Sequence, residues 1–133
     1  MIGPVKTVAV YVEDQQAAVE FYTTKLGFEV RRNEPMAPGA SWVEVAPPGG
    51  QTGLVLYPRA MMKGWEEMKP SVVFNCTDIE ATCATLWAAG VKVVDQPHPM
   101  PWGIYAKIAD PDGNEFLLVQ PPGAEERETK SQP

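Results

Sequence analysis

Hydrophobic positions along this chain fall into two similar series. Val8-Ala9-Val10-Tyr11-Val12 and Val72-Val73-Phe74-Asn75-Cys76 are short β-branched and aromatic runs that read as strands. Each is followed by an aspartate, Asp14 or Asp78, that can accept hydrogen bonds from the free amides opening a helix. Helical spacing comes next in both series: Ala18, Phe21, Tyr22 and Leu26 form one apolar stripe, and Ile79, Cys83, Leu86 and Trp87 form the other. Gly27 and Gly90 supply the left-handed residue that ends such helices. Three further strands are expected per series, over residues 28–32, 41–46 and 52–57 and over residues 91–94, 103–109 and 115–120. Pro48-Gly49-Gly50 and Asp110-Pro111-Asp112-Gly113-Asn114 are the turns before the last strand of each.

The chain is therefore an internal repeat of strand, helix and three strands. Ala46-Pro47-Pro48-Gly49-Gly50-Gln51-Thr52-Gly53-Leu54-Val55-Leu56 aligns without a gap on Ala109-Asp110-Pro111-Asp112-Gly113-Asn114-Glu115-Phe116-Leu117-Leu118-Val119, which sets Thr52 against Glu115. Each copy must bury its apolar face, and a unit this small is uncomfortable alone. At 133 residues and 44% hydrophobic content, the two copies together can hold a core. The pattern predicts an α+β chain with one domain over residues 1–121, built from βαβββ modules at about 5–58 and 70–121. Residues 122–133 are polar and are expected to be a disordered tail.

Four motifs carry a family resemblance: Tyr11-Val12-Glu13-Asp14, Phe21-Tyr22, Leu26-Gly27-Phe28 and Asp110-Pro111-Asp112-Gly113-Asn114-Glu115. Over residues 5–120 the chain resembles the vicinal oxygen chelate superfamily, which holds glyoxalase I, the extradiol dioxygenases and the bleomycin-resistance proteins. The resemblance implies two modules pairing into a half-open eight-stranded barrel around one cavity, with a homodimer completing the site. It also implies metal-ligand positions at the openings of the first and last strands of each module. Those positions hold Thr7, Thr52, Ser71 and Glu115. Only Glu115 is a strong ligand, whereas a catalytic divalent ion usually takes three. The single histidine, His98, lies in the proline-rich run Gln96-Pro97-His98-Pro99-Met100-Pro101, which reads as a loop away from those positions. The expectation is no metal and no other cofactor.

Strand parity sketches the cavity wall that the resemblance implies. With Thr7 inward, Ala9 and Tyr11 follow; Ser71, Val73 and Asn75 do so in the second copy. Thr52, Leu54 and Leu56 with Glu115, Leu117 and Val119 complete the far walls, and Trp42, Glu44, Tyr105 and Lys107 come from the middle strands. Apolar and aromatic walls with a few polar groups suit a small-molecule site. Glu44 and Lys107 are repeat equivalents of opposite charge, which could pair with each other or hold a bound anion. Glu115 reads either as a strand-opening residue paired to a neighbour, or as a lone carboxylate that holds a cationic group or, once buried, acts as a general base. Trp102 stands at the mouth of the expected cavity, and Met61, Met62 and Trp65 could form an apolar lid or contact a partner subunit.

A formal charge of −6 argues against nucleic-acid binding, which needs a basic footprint. The first residues lead directly into a strand with no signal peptide, and no apolar run is long enough to cross a bilayer, so no membrane partner is expected and a cytoplasmic location follows by default. Cys76 and Cys83 read as small buried hydrophobes. Two functions stay open. One is metal-free binding of a small, partly aromatic molecule. The other is an enzyme: a glyoxalase-like lyase or dioxygenase with an unusual metal set, or a metal-free isomerase using Glu115 as base.

Overall fold

A computed structural model describes residues 1–123; the expected tail lies outside them from residue 124 onward. Contacts divide the chain between Pro70 and Ser71 into two compact units. In the first, β1 (Thr7–Val12) leads to α1 (Gln15–Glu20), then β2 (Glu29–Ala37), β3 (Ala40–Ala46) and β4 (Gly53–Pro58). In the second, β5 (Val73–Asn75) leads to α2 (Ile79–Ala88), then β6 (Lys92–Met100), β7 (Gly103–Ala109) and β8 (Glu115–Gln120). Each unit is one open, four-stranded mixed sheet, ordered β1-β4-β3-β2 and β5-β8-β7-β6. The first strand lies parallel to the last and the other pairs are antiparallel. The fold is α+β. Among the described residues no helix is long and apolar enough to cross a membrane.

Helix starts follow the aspartates. Asp14 accepts from the amides of Gln16 and Ala17, and Asp78 from that of Ala81. α1 then does something the stripe did not foresee: residues Phe21–Lys25 continue as a π-helix. The hydroxyls of Thr23 and Thr24 donate to the carbonyls of Val19 and Glu20 at 2.7 and 2.6 Å, competing with the main-chain ladder. Phe21 and Tyr22 stay buried, while Leu26 is only half-buried. On α2 the stripe is narrower than expected. Ile79, Cys83 and Leu86 are buried, but Trp87, one position beyond, is 65% exposed.

The outer strands are longer than periodicity suggested. β2 and β6 run on through Pro35 and through Pro97 and Pro99, so His98 is a strand residue opposite Tyr105 and not part of a loop. Both strands are sheet edges, where a proline removes no hydrogen bond that a neighbour needs. Each carries a bulge at the equivalent place, Arg31 in one and Val94 in the other.

Turns before the last strands solve one problem in two ways. Buried Asp110 accepts from the amides of Asp112 and Asn114 and from the Asn114 side chain. The first module has no such aspartate. There Arg31, on the bulge, donates to the carbonyls of Gly50 and Pro47 at 2.7 and 3.1 Å. That turn is also one residue longer, which matters for the site.

Candidate functional site

Strand register fixes which side chains share a face. In the first module Thr7 pairs with Gly53, Ala9 with Val55 and Tyr11 with Tyr57. Glu44 pairs with Val55 on one side and with Arg32 on the other, and Trp42 pairs with Glu34. These residues form the face turned away from α1. Val10, Val12, Val43, Val45 and Leu56 form the opposite, fully enclosed face, which α1 covers.

Three expected wall residues move as a result, Leu56 among them, since it pairs with Val10 in the core beneath α1. Leu54 pairs with Val8 and Val45, so it belongs to the core beneath α1, and Val55, itself buried, takes its place on the face turned away from α1. Thr52 precedes β4 and its hydroxyl donates to the Val5 carbonyl at 3.1 Å. The position structurally equivalent to Glu115 is Gly53: Glu115 pairs with Ala109, and the β3–β4 register sets Gly53 opposite Ala46, the repeat counterpart of Ala109. The longer turn causes the slip. Periodicity could not reveal it, because residues 53–57 are a continuous apolar run whose phase is invisible in sequence.

Glu44 is the best-built polar group on this face. It is 7% exposed. Trp42 Nε1 donates to its Oε1 at 2.8 Å, and Arg32 approaches the same oxygen at 3.6 Å. The other oxygen, Oε2, lies 3.7 Å from where a Cβ on Gly53 would stand. Arg32 is held more tightly by Glu34, at 2.7 Å, and Glu34 is the first cause of the upward push on the guanidinium pKa. Arg32 and Glu34 were not anticipated.

The second module repeats the arrangement with charges exchanged. Asp95 on β6 pairs with Lys107 on β7, as Arg32 on β2 pairs with Glu44 on β3. Lys107 Nζ stands 3.8 Å from both Asp95 and Glu115. Glu44 and Lys107 thus each have a partner within their own module. Around this cluster the face carries Val73, Asn75, Tyr105, Leu117 and Val119, with Ser71 exposed just before β5. Trp102 is 56% exposed, its ring edge-on to Tyr105 at 6.3 Å between centroids. Glu115 is exposed beside Lys107, so the burial that the general-base reading required is missing.

The residues at the four family ligand positions, Thr7, Gly53, Ser71 and Glu115, do not fit a catalytic metal. One has no side chain, two offer only neutral hydroxyls, and the fourth is shared with an ammonium group. His98 stands on β6 and is exposed. Burial pushes both thiols, Cys76 and Cys83, above the usual range, which suits inert packing groups.

Two hollows adjoin the first sheet. One of about 400 Å³ opens beside Ala9 and Tyr11 and is edged by Glu67, Met68, Lys69 and Pro70. The other, about 850 Å³, lies on the α1 side and is rimmed mainly by polar groups, among them Glu13, Gln15 and Asn33. The segment joining the modules is fastened at Arg59, which pairs with Glu13 at 3.3 Å and lies 4.7 Å over the Trp65 ring. Trp65, for which the sequence suggested a lid or a subunit contact, is thereby engaged in a cation–π contact.

Comparison with known proteins agrees with this geometry. The chain is 52% identical over 120 residues to the uncharacterized protein YetH of Bacillus subtilis (strain 168), covering 90% of this chain and all of that one. A Glyoxalase/bleomycin resistance protein/dioxygenase superfamily member from Sphaerobacter thermophilus DSM 20745 superposes with a TM-score of 0.80 at 33% identity, over 90% of this chain and 98% of its own. TnmS3, an antibiotic binding protein from Streptomyces sp. CB03234, does so with a TM-score of 0.78 at 38% identity, over 90% and 97%. The sequence profile of one family matches residues 5–118. With its repeat, its sheet order and that match, the chain belongs to the Glyoxalase/Bleomycin resistance protein/Dioxygenase superfamily.

Proposed function

We propose that this protein binds a small, partly aromatic molecule on the faces of its sheets turned away from the helices, without a metal, and that it does so by sequestration and not by turnover. The observation that carries the reading is the donor set at the family ligand positions, where Gly53 and two hydroxyls stand in place of strong ligands. What the faces do offer is Tyr11, Trp42, Trp102 and Tyr105 for contact area, with Glu44, Asn75 and Glu115 to fix orientation. Apolar walls with few polar groups are the general make-up of a small-molecule site. The likeness to an antibiotic binding protein supports the same class of ligand. The homodimer that the family resemblance implies, with the small molecule as its only other partner, belongs to this proposal.

Thermal unfolding of chelator-treated protein against a panel of aromatic antibiotics and aromatic amines tests it. A true ligand at a hundred times its Kd adds about 2.7 kcal/mol and raises Tm by several degrees. A panel that moves Tm only after a divalent metal is restored would sink the metal-free reading.

A further inference from the structure

We propose that Glu44 Oε2 is the acceptor for a cationic group of the ligand, so that the first module takes a protonated amine carried on an aromatic body. This rests on the small-molecule binding reading and names the class of molecule. Glu44 is buried, yet only its Oε1 is engaged, by Trp42 Nε1 and at longer range by Arg32. Oε2 takes no bond from any described residue. No buried side-chain oxygen among those residues lacks a partner, so Oε2 keeps some accessible surface, small as that of Glu44 is. This oxygen lies 3.7 Å from where a Cβ on Gly53 would stand, so a large side chain at that position would crowd it.

Charge then selects the ligand group. A buried carboxylate needs a counter-charge to offset its lost hydration. The nearest cation, Arg32, is closer to Glu34, at 2.7 Å, than to Glu44, at 3.6 Å, which leaves Glu44 under-neutralised. One guanidinium serves two carboxylates, an excess of one negative charge on this face. The second module keeps the same ratio with exchanged residues, one ammonium at Lys107 between Asp95 and Glu115. Trp42, half-buried and bonded to Glu44, offers flat apolar surface for the body that carries the amine.

Matched probes separate the amine subsite from binding in general. Calorimetric titration at neutral pH would compare naphthylmethylamine with naphthylmethanol, and the anthracene pair likewise, on the whole chain. The amine should bind about tenfold tighter than the alcohol, the size expected of one charge-assisted hydrogen bond. Glu44→Gln, which keeps an acceptor for Trp42, should bring that ratio close to one; Arg32→Gln should widen it. Glu20→Gln, which removes a negative charge on the exposed side of α1, should retain the preference. Near-UV circular dichroism checks that each variant is folded. An alcohol that binds as well as the amine, or a preference that survives in Glu44→Gln, would overturn the subsite and leave the binding reading standing. Failure of both members of each pair to bind would overturn the two together.

Discussion

At the residue scale, two glycines show how differently the same residue can be required. Gly103 has φ of +143°, and a Cβ there would stand 2.6 Å from the Gln120 carbonyl oxygen. A methyl group on Gly53 would meet only ordinary contacts, at 3.5 and 3.7 Å. Gly103→Ala should therefore cost about 1–3 kcal/mol, through strain and displacement of β8. Gly53→Ala should change stability by less than about 1 kcal/mol. Urea unfolding of the two variants side by side checks the contrast, and equal losses would contradict the geometry. Residue-level sequence reading placed Trp42 and Glu44 on one face correctly, because alternation in Trp42-Val43-Glu44-Val45 is explicit. It misplaced Thr52, Leu54 and Leu56, because no alternation marks the phase of β4.

At the element scale, the turns and caps decide register, and register decides which groups meet. Asp110 ties the β7–β8 turn by accepting from Asp112 N, Asn114 N and Asn114 Nδ2 through both its oxygens, while Asp14 caps a helix of six residues by accepting from Gln16 N and Ala17 N. Removing a buried acceptor leaves its donors unsatisfied, so Asp110→Ala should cost about 1–3 kcal/mol. Loss of an exposed cap at Asp14→Ala should cost about 1 kcal/mol. The measurement is the shift in urea midpoint; a larger effect at Asp14 would reverse the ranking. These elements were legible: the aspartates and the turn residues act through local chemistry that a sequence displays. The length of β2 and β6 was not, since a proline reads as a strand breaker until the strand is known to lie at a sheet edge. Arg31 was equally hidden, since its role comes from a bulge that only pairing defines.

Across the whole molecule, the repeat has been kept as architecture and altered as chemistry. Both modules hold the same strand order, the same bulge and the same cross-strand ion pair, with the signs exchanged between Arg32–Glu44 and Asp95–Lys107. The positions where the family places a metal have drifted apart, Gly53 in one module and Glu115 in the other. That combination supports a binding surface more readily than a metal enzyme. Sequence alone reached the fold class because a repeat is read from patterns, while it set Thr52 where pairing sets Gly53. It missed the carboxylate at Glu44 as an anchored group, because the pairing that sets Arg32 opposite Glu44 is not visible in sequence and Glu34 lies in the part of β2 beyond the expected strand.

The most direct test of the metal-free reading is elemental analysis of untagged protein after incubation with nickel, zinc, manganese and ferrous iron, followed by removal of free ion. Thr7, Gly53, Ser71 and Glu115 predict less than stoichiometric metal in every case. One tightly held ion per chain would contradict it and return a lyase or dioxygenase chemistry to the front.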